Sequence, residues 1–149
     1  MPEAHVYRDR LVVLEVGIRR LALPLSEVAY FAPAAERQAV HDGPGWLAGI
    51  LARGASDTWL PVIDLADLWH DGSLRGTRTR IVVATHAGVA LAVESYTTTA
   101  VALPIVPLRP APGVSALGRA VLFDDRPIPV LDPWHLVSAD QWQSLKLIA

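Results

Sequence analysis

Two aspartates stand in nearly the same phrase, Asp64 in PVIDL (61–65) and Asp132 in PVLDP (129–133), 68 positions apart. One carboxylate per half is how a dyad sharing a proton is built. Such a dyad needs a glycine-rich, exposed loop around each aspartate. Here Leu65-Ala66 follow Asp64, and Pro133-Trp134 follow Asp132. The same residues fit a second role better. Aspartate is a favoured helix N-cap, since its carboxylate accepts orphan amides of the first turn. Pro133 then falls at the first helical position, where a missing N–H costs nothing. Asp64 and Asp132 are read as caps, with a hydrolase using the pair as a lesser alternative. Asp64, Asp67 and His70 recur at i, i+3 and i+6, a spacing that suits one metal ion. The second copy has His135 where Asp67 stands, so the pattern is not repeated and no metal is expected. His5, His41 and His86 are isolated, and no Ser-His-Asp order emerges. Gly43 and Gly45 make a lone G-x-G, too little for a phosphate cradle. Arg75, Arg78 and Arg80 cluster in GSLRGTRTR, but without the interleaved aromatics of a single-strand binder. That stretch reads as a linker, and a small nucleic-acid-binding barrel is kept as the other alternative. No catalytic residue and no cofactor is expected.

Composition narrows the field further. The chain has 149 residues, 52% hydrophobic and 19% charged, the profile of a packed domain. A net charge of −2 carries no global field for nucleic acid. There is no cysteine, hence no disulfide and no thiolate chemistry. No apolar run approaches the ~20 residues that cross a bilayer. The expectation is a soluble, cytoplasmic protein with no membrane insertion.

The elements that would position these residues come twice. Sliding LVVLEVGIRRLALP (11–24) by 70 places it on IVVATHAGVALAVE (81–94): Val12 meets Val82, Val13 meets Val83, Leu21 meets Leu91, Ala22 meets Ala92 and Leu23 meets Val93. Each copy is apolar, turns at a glycine-containing segment, and is apolar again, a β-hairpin signature. Gly49 falls on Gly118 at 69 and Pro61 on Pro129 at 68. Twelve prolines and ten glycines punctuate short strands, which argues for a small barrel or sandwich. Two halves, about 10–75 and 79–138, could each close a five-stranded barrel of SH3 size. Pro61 and Pro129 then sit where an edge strand tolerates a missing donor. A helix is expected over about 139–148: Ser138 with Gln141 forms a capping box, and Trp142, Leu145 and Ile148 share a face. The five tryptophans are expected mostly in the core, except Trp59, read as sitting in an extended loop suited to a partner.

Taken in order, these phrases resemble the CheW family of chemosensory adaptors over roughly 10–138: Ala22-Leu23-Pro24-Leu25 with SEVAYF, Trp46 to Gly49, Arg53-Gly54, PVIDL, and Val93-Glu94. The resemblance implies a mainly β fold of two pseudo-symmetric, five-stranded SH3-like barrels with short helices. It implies a non-catalytic adaptor that couples a chemoreceptor's cytoplasmic tip to the regulatory domain of a CheA-like histidine kinase. Val28, Gly49, Arg53, Tyr96 and Thr99 match its partner-binding positions; Tyr30 stands where an acidic residue is usual. Three departures mark a divergent member. Leu51-Ala52-Arg53-Gly54 replaces N-L-R-G, one residue is missing after Gly49, and the segment before Pro61 is about three residues longer. A twitching-motility (type IV pilus) or other specialised pathway is the corresponding expectation.

Overall fold

The computed structural model describes residues 6–7, 9–40, 42–52, 59–75, 79–99, 103–107 and 117–146. The strands are β1 (Val6–Tyr7), β2 (Leu11–Val16), β3 (Arg19–Pro24), β4 (Val28–Pro33), β5 (Leu47–Ala52), β6 (Trp59–Ile63), β7 (Ile81–Thr85), β8 (Ala90–Val93), β9 (Ser95–Thr98), β10 (Leu103–Pro107), β11 (Leu117–Phe123) and β12 (Arg126–Leu131). Two short helices are α1 (Leu65–Leu68) and α2 (Ala139–Lys146). Single 3-10 turns occupy Leu25–Glu27, Ala34–Glu36, Gly72–Leu74 and Pro133–His135.

The sequences of the two hairpins leave little choice of structure. All four residues Leu11–Leu14 are buried, as are Val82–Ala84. A continuous apolar run means a strand covered on both faces. One face of the β2–β3 hairpin, with Val12, Leu14, Val16, Leu21 and Leu23, enters a central cluster. The other, with Leu11, Val13 and Ala22, joins Val121, Ile128 and Val130. The β7–β8 hairpin divides likewise. Val83, Leu91 and Val93 meet the same central cluster, while Val82, Ala84 and Ala90 join Leu51, Leu60 and Val62. The two hairpins therefore share one core between them and each has a second core behind it.

Two sheets result, in the orders β1-β10-β11-β12-β3-β2-β9 and β4-β7-β8-β6-β5. The mainly β fold expected from the sequence is present; the two expected five-stranded barrels appear as a seven-stranded and a five-stranded sheet, and apart from β1 both have the same wiring. In each, a hairpin pairs antiparallel with a short strand on one side (β9 with β2, β4 with β7). On its other side it meets a parallel neighbour (β12 with β3, β6 with β8), followed by an antiparallel one (β11, β5). A lone bridge from Gln38 to Ile50 stands where β10 pairs with β11.

The assignment of strands to barrels differs from the simple repeat. Each half does not close its own barrel. The first hairpin lies in the sheet built by β9–β12, and the second lies in the sheet of β4, β5 and β6. The chain crosses between sheets directly after each hairpin. The crossings are held by Leu25 N–H donating to Arg10 O (2.9 Å) and Glu94 N–H donating to Glu15 O (2.9 Å).

Two details of register also depart from a constant offset. The β2–β3 turn has two residues, Gly17 and Ile18, but Thr85 N–H closes on Val89 O around three, 86–88. Val13 consequently pairs with Ala22 while Val83 pairs with Leu91, a slip of one after the turn. A bulge shifts β5 between Leu47 and Gly49 and β11 between Leu117 and Arg119. The counterpart of Gly49 is thus Arg119 rather than Gly118.

Pro61 and Pro129 are not on edge strands. β6 lies between β5 and β8, and β12 between β11 and β3. Their parallel ladders begin only at Val62 and Val130, one residue past each proline. The missing donor falls outside the ladder, which is why the prolines are tolerated.

Candidate functional site

The paired aspartates are spent on the backbone. Asp64 Oδ1 accepts Ala66 N–H at 3.0 Å and Asp67 N–H at 3.4 Å, capping α1. Asp132 Oδ1 accepts Trp134 N–H at 3.0 Å at the head of the Pro133–His135 turn, with proline in its first positions. Its Oδ2 lies 2.6 Å from His135 Nδ1. Ser138 and Gln141 close a reciprocal box: Ser138 N–H donates to Gln141 Oε1 (2.8 Å), and Gln141 N–H to Ser138 Oγ (3.2 Å). α2 runs to Lys146, and its Trp142 packs on the central cluster; Ile148 lies outside the described residues. Asp67 pairs with Arg75 at 2.8 Å, and His70 takes a left-handed φ of 53° just past α1. Among the described residues no group of three or more His, Asp or Glu could hold a metal ion. Asp71 caps the Gly72–Leu74 turn. The Ser73 hydroxyl and then the Ser73 N–H hold its carboxyl below the usual range, and Arg19 adds to the effect.

The residues matched to partner binding fall on a few elements. Val28 and Tyr30 begin β4, around a register shift against β7. Val28 is half-buried against the central cluster, and Tyr30 Oη donates to Ala52 O at 3.3 Å. Tyr96 is exposed on β9 and stacks on Phe31 of β4, ring centroids 3.9 Å apart and planes within 7°. β4 and β9 end the two sheet orders, so this stack joins one sheet to the other. Thr97 and Thr98 continue the exposed row beside Tyr96.

Thr99 and Gly49 are placed differently. Thr99 is buried; its Oγ1 accepts Leu11 N–H at 3.0 Å, and its own N–H donates to Leu11 O at 2.8 Å. Its side chain ties the end of β9 to the start of β2. Gly49 is buried at the β5 bulge with φ +148°, and a Cβ there would lie 2.5 Å from Gln38 O. The glycine is demanded by the backbone. Trp59 is not in a loop: it is the first residue of β6, paired with Ala52 and 44% exposed. Arg53 lies outside the described residues.

Sequence reasoning did not single out Phe31, whose only signal is its place in SEVAYF beside Tyr30. Nor did it single out Trp134. Trp46, Trp69 and Trp142 pack on the central cluster, as tryptophans were expected to. Trp134 is 59% exposed, and its indole N–H donates to Glu27 Oε2 at 2.7 Å. Nothing in the local sequence says that this ring points outward.

Comparison with known proteins completes the picture. A family model described as CheW-like domain matches residues 10–141. The chain belongs to the CheW-like family. The fold agrees with the crystal structure of the scaffolding protein TtCheW from Thermoanaerobacter tengcongensis. The TM-score is 0.66 at 18% identity, over 90% of this chain and 95% of that one. No curated protein matches the sequence. CheW-like proteins are non-catalytic scaffolding adaptors of chemosensory signalling, and this chain is an adaptor rather than an enzyme. No helix among the described residues is long and apolar enough to cross a membrane.

Proposed function

We propose that this CheW-like chain couples a chemoreceptor tip to the regulatory domain of a CheA-like histidine kinase in the cytoplasm, acting by contact. The observation that carries this reading is the face where β4 and β9 come together, held by Tyr96 stacked on Phe31. Edge strands have unpaired backbone groups on one side, and an aromatic pair beside them offers a rigid apolar anchor. Val28, Tyr96 and the exposed threonines of β9 border this face, while Tyr30 turns to the other side of β4 against Leu51, Leu60 and Val62. A receptor helical hairpin laid there would touch both sheets at once, so a shift in the helices would bias how a kinase domain is held. Trp59, exposed at the start of β6, adds to the contact surface, and the family resemblance adds Arg53 as a candidate receptor contact. Gly49 and Thr99 serve by shaping β5 and β9 rather than by touching a partner.

Binding of purified receptor tip and of purified kinase regulatory domain, measured separately by calorimetry, tests the reading. Tyr96→Ala and Arg53→Glu should each weaken receptor capture about tenfold, roughly 1.4 kcal/mol, with the fold intact. Failure of the unaltered protein to bind either component would overturn it. The departures at 51–54 and at Tyr30 favour a specialised pathway. Loss of twitching with swimming unchanged, on deleting the gene, is the expected phenotype; the reverse would place it in the ordinary pathway.

A further inference from the structure

A second surface lies away from the β4–β9 face. Between the start of β3, the start of β12 and the segment after α1 opens a cleft of about 400 Å³, within the roughly 300–1,000 Å³ of ligand-holding clefts. Leu21, Leu74 and Ile128 form its buried floor, and Trp69, Pro127 and Pro129 give it partly exposed apolar sides. Arg19, Arg20 and Arg126 add three guanidinium groups, against one acid, Asp71. That acid is already engaged by Ser73, and Arg19 Nε donates to Ser73 Oγ at 3.2 Å. Arg20 and Arg126 form no ion pair among the described residues. The chain as a whole is slightly acidic, so this basic rim is a local feature. Ile18, at the tip of the β2–β3 turn, is 85% exposed at the mouth.

The internal repeat indicates what shape fits beside it. Leu74 and Trp142 stand 68 positions apart, and both pack on the central cluster. In the second half, Trp142 belongs to a helix of the chain's own, α2. In the first half the corresponding path is a single 3-10 turn that ends at Leu74, and the cleft opens there. Apolar anchors spaced along a helix fill such a groove, and carboxylates on its flanks answer a basic rim by charge-assisted hydrogen bonds.

We propose that this cleft docks an acidic amphipathic helix of a partner protein, with one or two large apolar side chains between Trp69 and Pro129 and carboxylates at Arg20 and Arg126. The site is separate from the β4–β9 face and does not depend on kinase or receptor capture.

The test is an amide-resolved NMR titration of the full chain with a blocked peptide of about fourteen residues, roughly four helical turns, with Leu and Trp at helical spacing and Glu elsewhere. The amides of Ile18–Leu21, Trp69, Leu74, Arg126 and Ile128 should shift, with affinity falling as salt rises. The double variant Arg20→Glu/Arg126→Glu should weaken binding at least about tenfold while keeping its unfolding midpoint. Four results would each overturn the proposal. They are no shift up to millimolar peptide, equal binding of the same peptide with Lys for Glu, shifts confined to β4 and β9, or self-association of the chain through these residues instead.

Discussion

Replacing Gly17 and Gly88 by alanine, one at a time, separates backbone strain from close packing at two equivalent hairpin turns. Both glycines have positive φ, 60° and 82°. Forcing alanine into that region costs about 1–2 kcal/mol, partly offset by the stiffer unfolded chain, about 0.4–1 kcal/mol. At Gly88 nothing lies within 4 Å of the added Cβ, so the net loss should be about 0.5–1.5 kcal/mol. At Gly17 the Cβ would meet Ser73 O at 2.4 Å and the Leu74 carbonyl carbon at 2.7 Å. Both are backbone atoms, and no rotamer change relieves them. The Gly72–Leu74 turn must retreat, taking with it the hydrogen bond from Ile18 N–H to Ser73 O (3.0 Å), worth about 1 kcal/mol. The buried Leu74 side chain must shift as well. Gly17→Ala should therefore destabilise by about 2–4 kcal/mol, at least 1 kcal/mol more than Gly88→Ala. Urea unfolding at 25 °C followed by tryptophan fluorescence, with the slopes compared to confirm two-state behaviour, measures both. Losses within about 0.5 kcal/mol of each other would mean that the hairpin and the turn after α1 are not packed as described.

Other expectations follow from single contacts. Asp64→Ala should lower stability by about 1 kcal/mol through loss of the α1 cap, with partner capture unchanged; lost capture at full stability would return Asp64 to the functional surface. A double-mutant cycle on Phe31→Leu and Tyr96→Leu should show a coupling of about 0.5–1.5 kcal/mol, and a value near zero would remove the ring stack as a link between the sheets. Asp71 carries a lowered pKa when folded, so its contribution is complete above the ordinary aspartate range and fades as pH falls through the depressed value. The stability difference between the protein and Asp71→Asn should shrink across that acid window; a difference that grows on acidification would contradict the assigned sign. The carboxylate is exposed, so the effect should also weaken in high salt.

How much was legible in the chain depends on the range of the interaction. Asp64, Asp132 and Ser138 act on amides two or three residues away, and their roles follow from spacing alone. The two hairpins follow from apolar runs flanking short turns, and the repeat follows from their recurrence. The outward set of Trp134 and the stacking of Phe31 on Tyr96 join residues 107 and 65 positions from their partners, Glu27 and each other. No local pattern encodes contacts of that range.

Local sequence determined that this protein has two matching hairpins, two prolyl-aspartate strand ends and a capped terminal helix, because each depends on near neighbours along the chain. Tertiary structure alone decided that the hairpins change places. Leu11–Leu14 and Ile81–Ala84 are apolar on both faces and would suit either sheet. What settles the matter is the packing of the hairpins against one another, which buries Val12, Leu14, Val83 and Leu91 in a shared core. Each hairpin is then left to complete the barrel begun by the other half, and the face proposed for partners, on β4 and β9, draws on both halves at once.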